Sequence, residues 1–193
     1  PDGDYSWSNE SGICLGCYIP QFIGPVKSGG WAKLMPNSLI VGEFTKETRP
    51  SDADTKFDKR MYASLFFDAA NYGDKVPNEK WYGNNYSMDD LWEGNEGKMA
   101  GGAPSFNVNG TAGKFLIKKN TAYYVDDKAP DNMGNKEGRS SNLRVMRFAE
   151  VLLLYAEACA KTNDPDGANY ALKQIRQRAG LTEKTFAQAE LMN

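Results

Sequence analysis

From Asn142 to Leu181 the chain reads NLRVMRFAEVLLLYAEACAKTNDPDGANYALKQIRQRAGL. This is the stretch in which two helical patterns, their caps and their connection can all be laid out. In the first half Arg144, Arg147, Glu150, Glu157 and Lys161 share one helical stripe. Val145, Phe148, Val151, Leu152, Leu153, Tyr155 and Cys159 take most of the remaining circumference, the pattern of a helix buried on more than one side. In the second half Ala168, Ala171, Leu172, Ile175 and Ala179 recur at three and four residues. Lys173, Gln174, Gln177 and Arg178 lie opposite, and Gly180 stands where a C-terminal cap belongs. Between them Asn163, Asp164, Pro165 and Asp166 stop one helix and start the next, so an antiparallel helix hairpin is predicted. Arg147 and Glu150, three apart on one stripe, are predicted to pair with each other or with buried backbone.

The hairpin's internal spacing fits the tetratricopeptide pattern. Ala156, Ala168, Leu172 and Ile175 fall where that pattern locks its two helices together, and Leu152 and Tyr155 fall at its earlier apolar positions. Gly180 stands where the pattern has proline. An isolated αα-hairpin of no particular family has the same spacing, and a solenoid unit needs neighbours to cover its outer faces.

Residue identity adds to spacing. Arg147 to Ala158 and Ile175 to Leu181 resemble the Arg, AEVLLLYAEA and IR-x-RAGL segments in the C-terminal half of the SusD/RagB family. GGWAKLMPNSLIVGEF at Gly29 to Phe44 is similar to the family's Gly-Trp segment leading into a proline and an apolar helix. FDKRMYASLF at Phe57 to Phe66 is similar to its Asp-x-Arg strand segment, and Lys114 to Lys118 to the strand before its long helix. The resemblance implies a mainly α fold, SusD-like, with a tetratricopeptide-type helix hairpin, long irregular loops and a few short strands. Residues 1–193 would form a single region corresponding to the C-terminal half of such a protein, with 1–141 loop-rich and 142–181 the hairpin. Signal peptide and lipid-bearing cysteine would lie outside it. Missing N-terminal repeats would cover an apolar face on the long helix, Val145 to Cys159. The implied function is a cell-surface, outer-membrane lipoprotein that is not an enzyme and needs no cofactor. It would bind oligosaccharides and pass them to a SusC-like TonB-dependent transporter.

Composition narrows the alternatives. A net charge of −2 offers nucleic acid or an anionic membrane surface no electrostatic attraction. A mean hydropathy of −0.61 goes with the lack of any apolar run long enough to span a bilayer, so membrane attachment is expected only through the lipid anchor. The sequence contains no histidine, which removes Ser-His-Asp and Cys-His nucleophilic catalysis and histidine-containing zinc sites. Cys14 and Cys17 form a lone CxxC, read as structural thiols or a local disulfide rather than a metal site. Cys159 reads as packed.

Outside the hairpin, Asn37 or Ser38 starts a short apolar helix to Phe44. Arg60 to Phe67 alternates well enough for a strand, with Met61, Ala63, Leu65 and Phe67 on one side. Further strands are predicted at 115–118 and 122–125. Residues 1–36 and 72–112 show no regular period, yet carry all four tryptophans. Long irregular segments of this kind carry function or remain unstructured.

Aromatic rings beside amides and carboxylates suit sugars, whose CH faces stack on flat rings while their hydroxyls seek polar partners. The candidate binding residues are Trp31 first, held by a helix and preceded by Gly29 and Gly30. Trp81 and Tyr82 follow, adjacent residues of which one ring is expected to face outward, with Asn84 and Asn85 beside them. Trp7 and Trp92 come third. The bland alternative for each is a ring pinning its loop to the core. A glycoside hydrolase would need two carboxylates flanking one bond, for which Asp89, Asp90 and Glu93 are available without a pairing motif. A helical-repeat scaffold for a protein partner would use the hairpin alone.

Overall fold

The computed structural model describes residues 23–28, 30–75, 80–82, 86–93, 105–121 and 145–192. Among them the fold is mainly helical, with six α-helices and four short strands. The chain divides into two compact units, Pro1–Gly42 with Met61–Leu143, and Glu43–Arg60 with Arg144–Asn193. The boundaries fall inside helices α1 (Ser38–Thr45) and α2 (Lys59–Ser64).

Helix α1 starts as predicted. The Asn37 side chain accepts a hydrogen bond from the Ile40 amide at 3.0 Å, satisfying one of the donors a helix N-terminus leaves open.

Residues 60–67 differ from the predicted strand. Asp58, fully buried, accepts from the Arg60 amide at 2.8 Å and from the Arg60 guanidinium at 2.5–3.0 Å. A carboxylate placed before the first amides favours a helical turn, and α2 forms over residues that alternate like a strand. Only Leu65–Phe66 remain extended, as β1. Both are buried, so the alternation had no solvent face to report.

Strand β1 pairs antiparallel with β4 (Leu116–Ile117), with Leu65 opposite Ile117 and Phe66 opposite Leu116. The amides of Lys118 and Lys119 extend the pairing by donating to the Ser64 carbonyl at 2.9 and 3.1 Å. The predicted strand at 122–125 lies outside the described residues. A second pair, β2 (Ser105–Val108) and β3 (Thr111–Lys114), closes through Asn109 and Gly110, both at positive φ. Asn-Gly suits such a two-residue hairpin turn, and this dipeptide was the signal in a segment read as irregular.

Two aromatic groups fill this unit. Phe66, Trp81, Tyr82, Met88, Leu91, Trp92 and Leu116 form one buried cluster. Phe67, Tyr72, Phe106 and Phe115 stack in the other, with centroid distances of 6.0–6.3 Å. Gly113 makes room for Tyr72, because a Cβ there would lie 1.6 Å from the phenol oxygen.

The other unit is built on the hairpin. Helix α4 (Phe148–Lys161) and helix α5 (Pro165–Ala179) pack through a core of Ala156, Cys159, Ala168 and Ala171, flanked by Leu152, Leu172 and Leu191. Cys159 is a buried free thiol, as expected of a packed residue. Close approach needs Gly167, where a Cβ would come within 2.7 Å of the Cys159 sulfur. Asp164 caps α5 by accepting from the Gly167 amide at 3.0 Å, Pro165 takes the first helical position, and Gly180 ends the helix at φ 68°. The stop at Gly180 follows the sequence reading, and the cap and first turn fall within the connection it placed at Asn163 to Asp166.

The outer side of α4 departs from it. Only Ala156, Cys159 and Ala160 are buried on that helix, while Phe148, Val151, Leu153, Leu154 and Tyr155 are exposed. Arg147 and Glu150 are both exposed and do not pair with each other. Arg147 is the extended cap residue before the first turn (φ −121°, ψ 150°), and its carbonyl accepts from the Glu150 amide at 2.9 Å.

A C-terminal strap, residues 181–187, is tied back onto α5 and leads into α6 (Gln188–Leu191). The Asn169 side chain brackets Phe186, donating to its carbonyl at 2.9 Å and accepting from its amide at 2.8 Å. Arg176 donates to the Thr182 carbonyl at 2.8 Å and pairs with Glu47 at 3.0 Å.

Candidate functional site

The aromatic loops do not all project side chains into solvent. Trp81 and Tyr82 are both buried, at 3% and 0% exposure, against the expectation that one ring would face outward. The backbone explains it. Trp81 and Tyr86 exchange amide–carbonyl hydrogen bonds of 2.9 and 3.2 Å, and Tyr82 sits at φ 54°. That left-handed turn breaks the alternation that would have sent neighbouring rings to opposite sides. Trp81 meets Phe66 edge-on at 4.9 Å, and the buried Lys118 ammonium lies 5.6 Å from its ring centroid, a cation–π distance. Trp92 is buried in the same cluster at 8% exposure, with Lys114 5.6 Å from its ring centroid. The core-pinning alternative therefore holds for Trp81, Tyr82 and Trp92. Trp7, Asn84 and Asn85 lie outside the described residues, as do Cys14 and Cys17.

Trp31 is half-buried. It sits at the exit of a tight loop in which the Gly30 amide donates to the Pro25 carbonyl at 2.9 Å and the Ala32 amide to the Gly24 carbonyl at 3.0 Å. Gly30 is required there, since a Cβ would lie 2.1 Å from the Gly24 oxygen, and Ala32 follows at φ 47°. Inside the loop a single 3-10 turn, Val26–Ser28, packs against helix α3 (Met88–Trp92). Lys27 ties the turn to Glu93 at 2.8 Å. The backbone that carries Trp31 is thus held by hydrogen bonds on both sides of the loop.

The carboxylates near these aromatics have structural partners. Ser87 and Asp90 form a capping box on α3, with the Ser87 amide 2.7 Å and its hydroxyl 2.5 Å from the Asp90 carboxylate. The hydroxyl first and the amide second hold Asp90 below the ordinary aspartate range. Asp89 pairs with Lys114 at 3.1 Å and Glu93 with Lys27. A hydrolase acid needs a carboxyl whose proton is held more tightly than usual, and Asp90 shows the opposite shift. Among the described residues no group of cysteines and carboxylates is arranged to hold a metal ion, and no helix is long and apolar enough to cross a membrane.

The SusD family model matches residues 1–193, and the chain belongs to that family. Its members are carbohydrate-binding proteins and not enzymes. Searches of curated proteins and of solved structures returned no match.

Proposed function

We infer that this chain is a cell-surface carbohydrate-binding subunit that captures oligosaccharides for import through a partner TonB-dependent transporter of the outer membrane. In this reading a lipid anchor holds it there. The observation that carries the reading is the family match along all of residues 1–193, and the fixed loop beneath Trp31 supports it. In this reading Trp31 stacks on a sugar ring, while hydroxyls are met by polar groups of neighbouring loops. Asn84, Asn85 and Trp7 are proposed contributors to that surface. The small-residue seam of Ala156, Ala168 and Ala171 supports a tetratricopeptide-type reading of the hairpin. The exposed apolar side of α4 fits a surface that packs against further helices.

Calorimetric titration with a panel of oligosaccharides of differing composition and linkage tests the proposal. Trp31→Ala is expected to lower affinity about ten- to hundredfold, the scale of losing one stacked ring, with no new reducing ends released. Unchanged affinity in Trp31→Ala would remove Trp31 from the site. Failure of every glycan to bind the unaltered chain would remove the function.

A further inference from the structure

The hairpin unit carries a cleft of about 270 Å³ between α5 and the C-terminal strap, lined by residues that include Asp166, Tyr170, Lys173, Glu183 and Thr185. Tyr170 lies in the middle of a helix, away from the aromatic-rich loops. We propose that this cleft is a second carbohydrate subsite, taking a single neutral sugar ring against Tyr170. The proposal rests on the glycan-binding reading above and adds a site away from the tryptophan loops.

Tyr170 is 66% exposed. The core side of α5 is lined by alanines, Ala168, Ala171 and Ala179, and the tyrosine ring stands outside that core. An aromatic face held on a long helix beside a cleft is a platform with its backbone already ordered. The opposite wall is also fixed in advance. Asn169 brackets Phe186 through its amide and carbonyl, and Arg176 holds the Thr182 carbonyl at 2.8 Å. Binding would not have to order the strap, which removes one of the ordinary entropic costs of association.

Charge and size select the ligand. Lys173 is matched by Glu183 at 3.1 Å, Arg176 by Glu47 at 3.0 Å and Lys184 by Glu190 at 3.5 Å. Asp166 has no ion-pair partner among the described residues. With its cations matched, the cleft has no unspent positive charge to hold an anion. What remains is a carboxylate and the Thr185 hydroxyl, which together accept and donate as a sugar's hydroxyls require. A volume just below the usual range of ligand pockets, roughly 300 Å³ and upward, accommodates one ring rather than a long chain.

Saturation-transfer NMR of the full chain with the methyl glycosides of glucose, galactose and mannose tests the site. Transfer is expected for at least one of them, unchanged in Trp31→Ala and retained in Tyr170→Phe, which keeps the ring. In Tyr170→Ala affinity should fall about tenfold or more, with an unaltered melting curve because the ring is on the surface. Transfer that persists undiminished in Tyr170→Ala overturns the subsite. So does an absence of transfer from all three glycosides in a protein that binds oligosaccharides through Trp31, a result that leaves the proposed function standing. If no oligosaccharide binds either, both proposals fall together.

Discussion

Arg49 donates from its guanidinium to the carbonyl oxygen of Gly180, the left-handed residue that ends α5, 131 positions later in the chain. The same group reaches the Ala179 carbonyl at 3.3 Å, Thr55 Oγ1 at 2.6 Å and Asp54 at 3.0 Å, with only 5% of its side chain exposed. The helix's last carbonyls are thereby satisfied by a side chain from a remote loop. Gly180 has two reasons to lack a side chain: its φ of 68°, and a Cβ position 1.7 Å from an Arg49 nitrogen.

Arg49→Ala is expected to destabilise the chain by about 1–3 kcal/mol, since buried carbonyls lose their donor. Arg49→Lys should not restore it, because one ammonium cannot replace a planar fork reaching several acceptors. Gly180→Ala should cost about 1–2 kcal/mol from the left-handed backbone alone, and more from displacing Arg49. The double variant should lose less than the sum of the two in urea unfolding. Strict additivity would show that the two residues do not share the space.

Burial pushes the Tyr72 phenol up to about 12 from 10. A raised pKa means that the folded chain keeps a proton which the unfolded chain gives up. Stability from this group is complete below pH 10 and declines as pH rises from about 10 toward 12. Unfolding midpoints measured across that window should fall, and Tyr72→Phe should flatten the decline.

Within the hairpin, Ala168 and Ala171 at 0% exposure leave no room, so Ala168→Leu should destabilise by about 1–3 kcal/mol through overpacking. Leu152 and Leu172 are only partly buried against the alanine core. Their truncation to alanine should fall at the low end of core cavity costs, about 2 kcal/mol. Thermal denaturation of the three variants gives the ranking, and little effect from Ala168→Leu would mean that the helices can move apart.

Trp81→Ala removes a ring 3% exposed and packed on Phe66, and should lower stability by about 3–5 kcal/mol. Any loss of glycan binding in it should track the unfolded fraction and vanish under stabilising conditions. Asp90→Ala should shift the melting point through the lost cap and leave affinity unchanged. A pure affinity loss in Asp90→Ala, with stability intact, would favour carboxylate chemistry at the site.

The apolar side chains of α4, with Phe148 at 70%, Leu153 at 50% and Leu154 at 54% exposure, form a surface that water does not favour. The 193-residue chain should self-associate at micromolar concentration. Phe148→Lys combined with Leu154→Lys should shift sedimentation velocity profiles toward monomer. Unchanged profiles would place the association elsewhere.

The sequence read best where local rules act alone. Gly180 could be assigned as a stop, and Asn163 to Asp166 as the connection that ends one helix and caps the next, because each acts through its own backbone and its nearest neighbours. The strand reading of residues 60–67 failed because the Asp58 carboxylate redirected the backbone from outside the periodic window. Trp81 and Tyr82 were misplaced for a related reason: a positive φ at Tyr82 is a backbone fact that side-chain alternation does not reveal. The Tyr170 cleft was invisible for another reason, since its second wall is a strap held by Asn169 and Arg176 in contacts that no periodicity encodes. The α4 surface shows the converse limit, because an apolar pattern states what a helix must hide without stating which chain hides it.

Asn169 holds the strap by gripping the amide and carbonyl of Phe186, and Arg176 does the same at the carbonyl of Thr182. Main-chain atoms are common to every residue type apart from the missing amide hydrogen of proline. The side chain of Thr185 can therefore be exchanged without loosening the wall it stands on, whereas Glu183 is itself bound to α5 through Lys173 and Gln177, each at 3.1 Å, and Lys184 reaches Glu190 at 3.5 Å. One position on this wall is thus chemically replaceable while its backbone stays fixed, so the lining of the cleft can be altered at Thr185 without rebuilding the hairpin behind it.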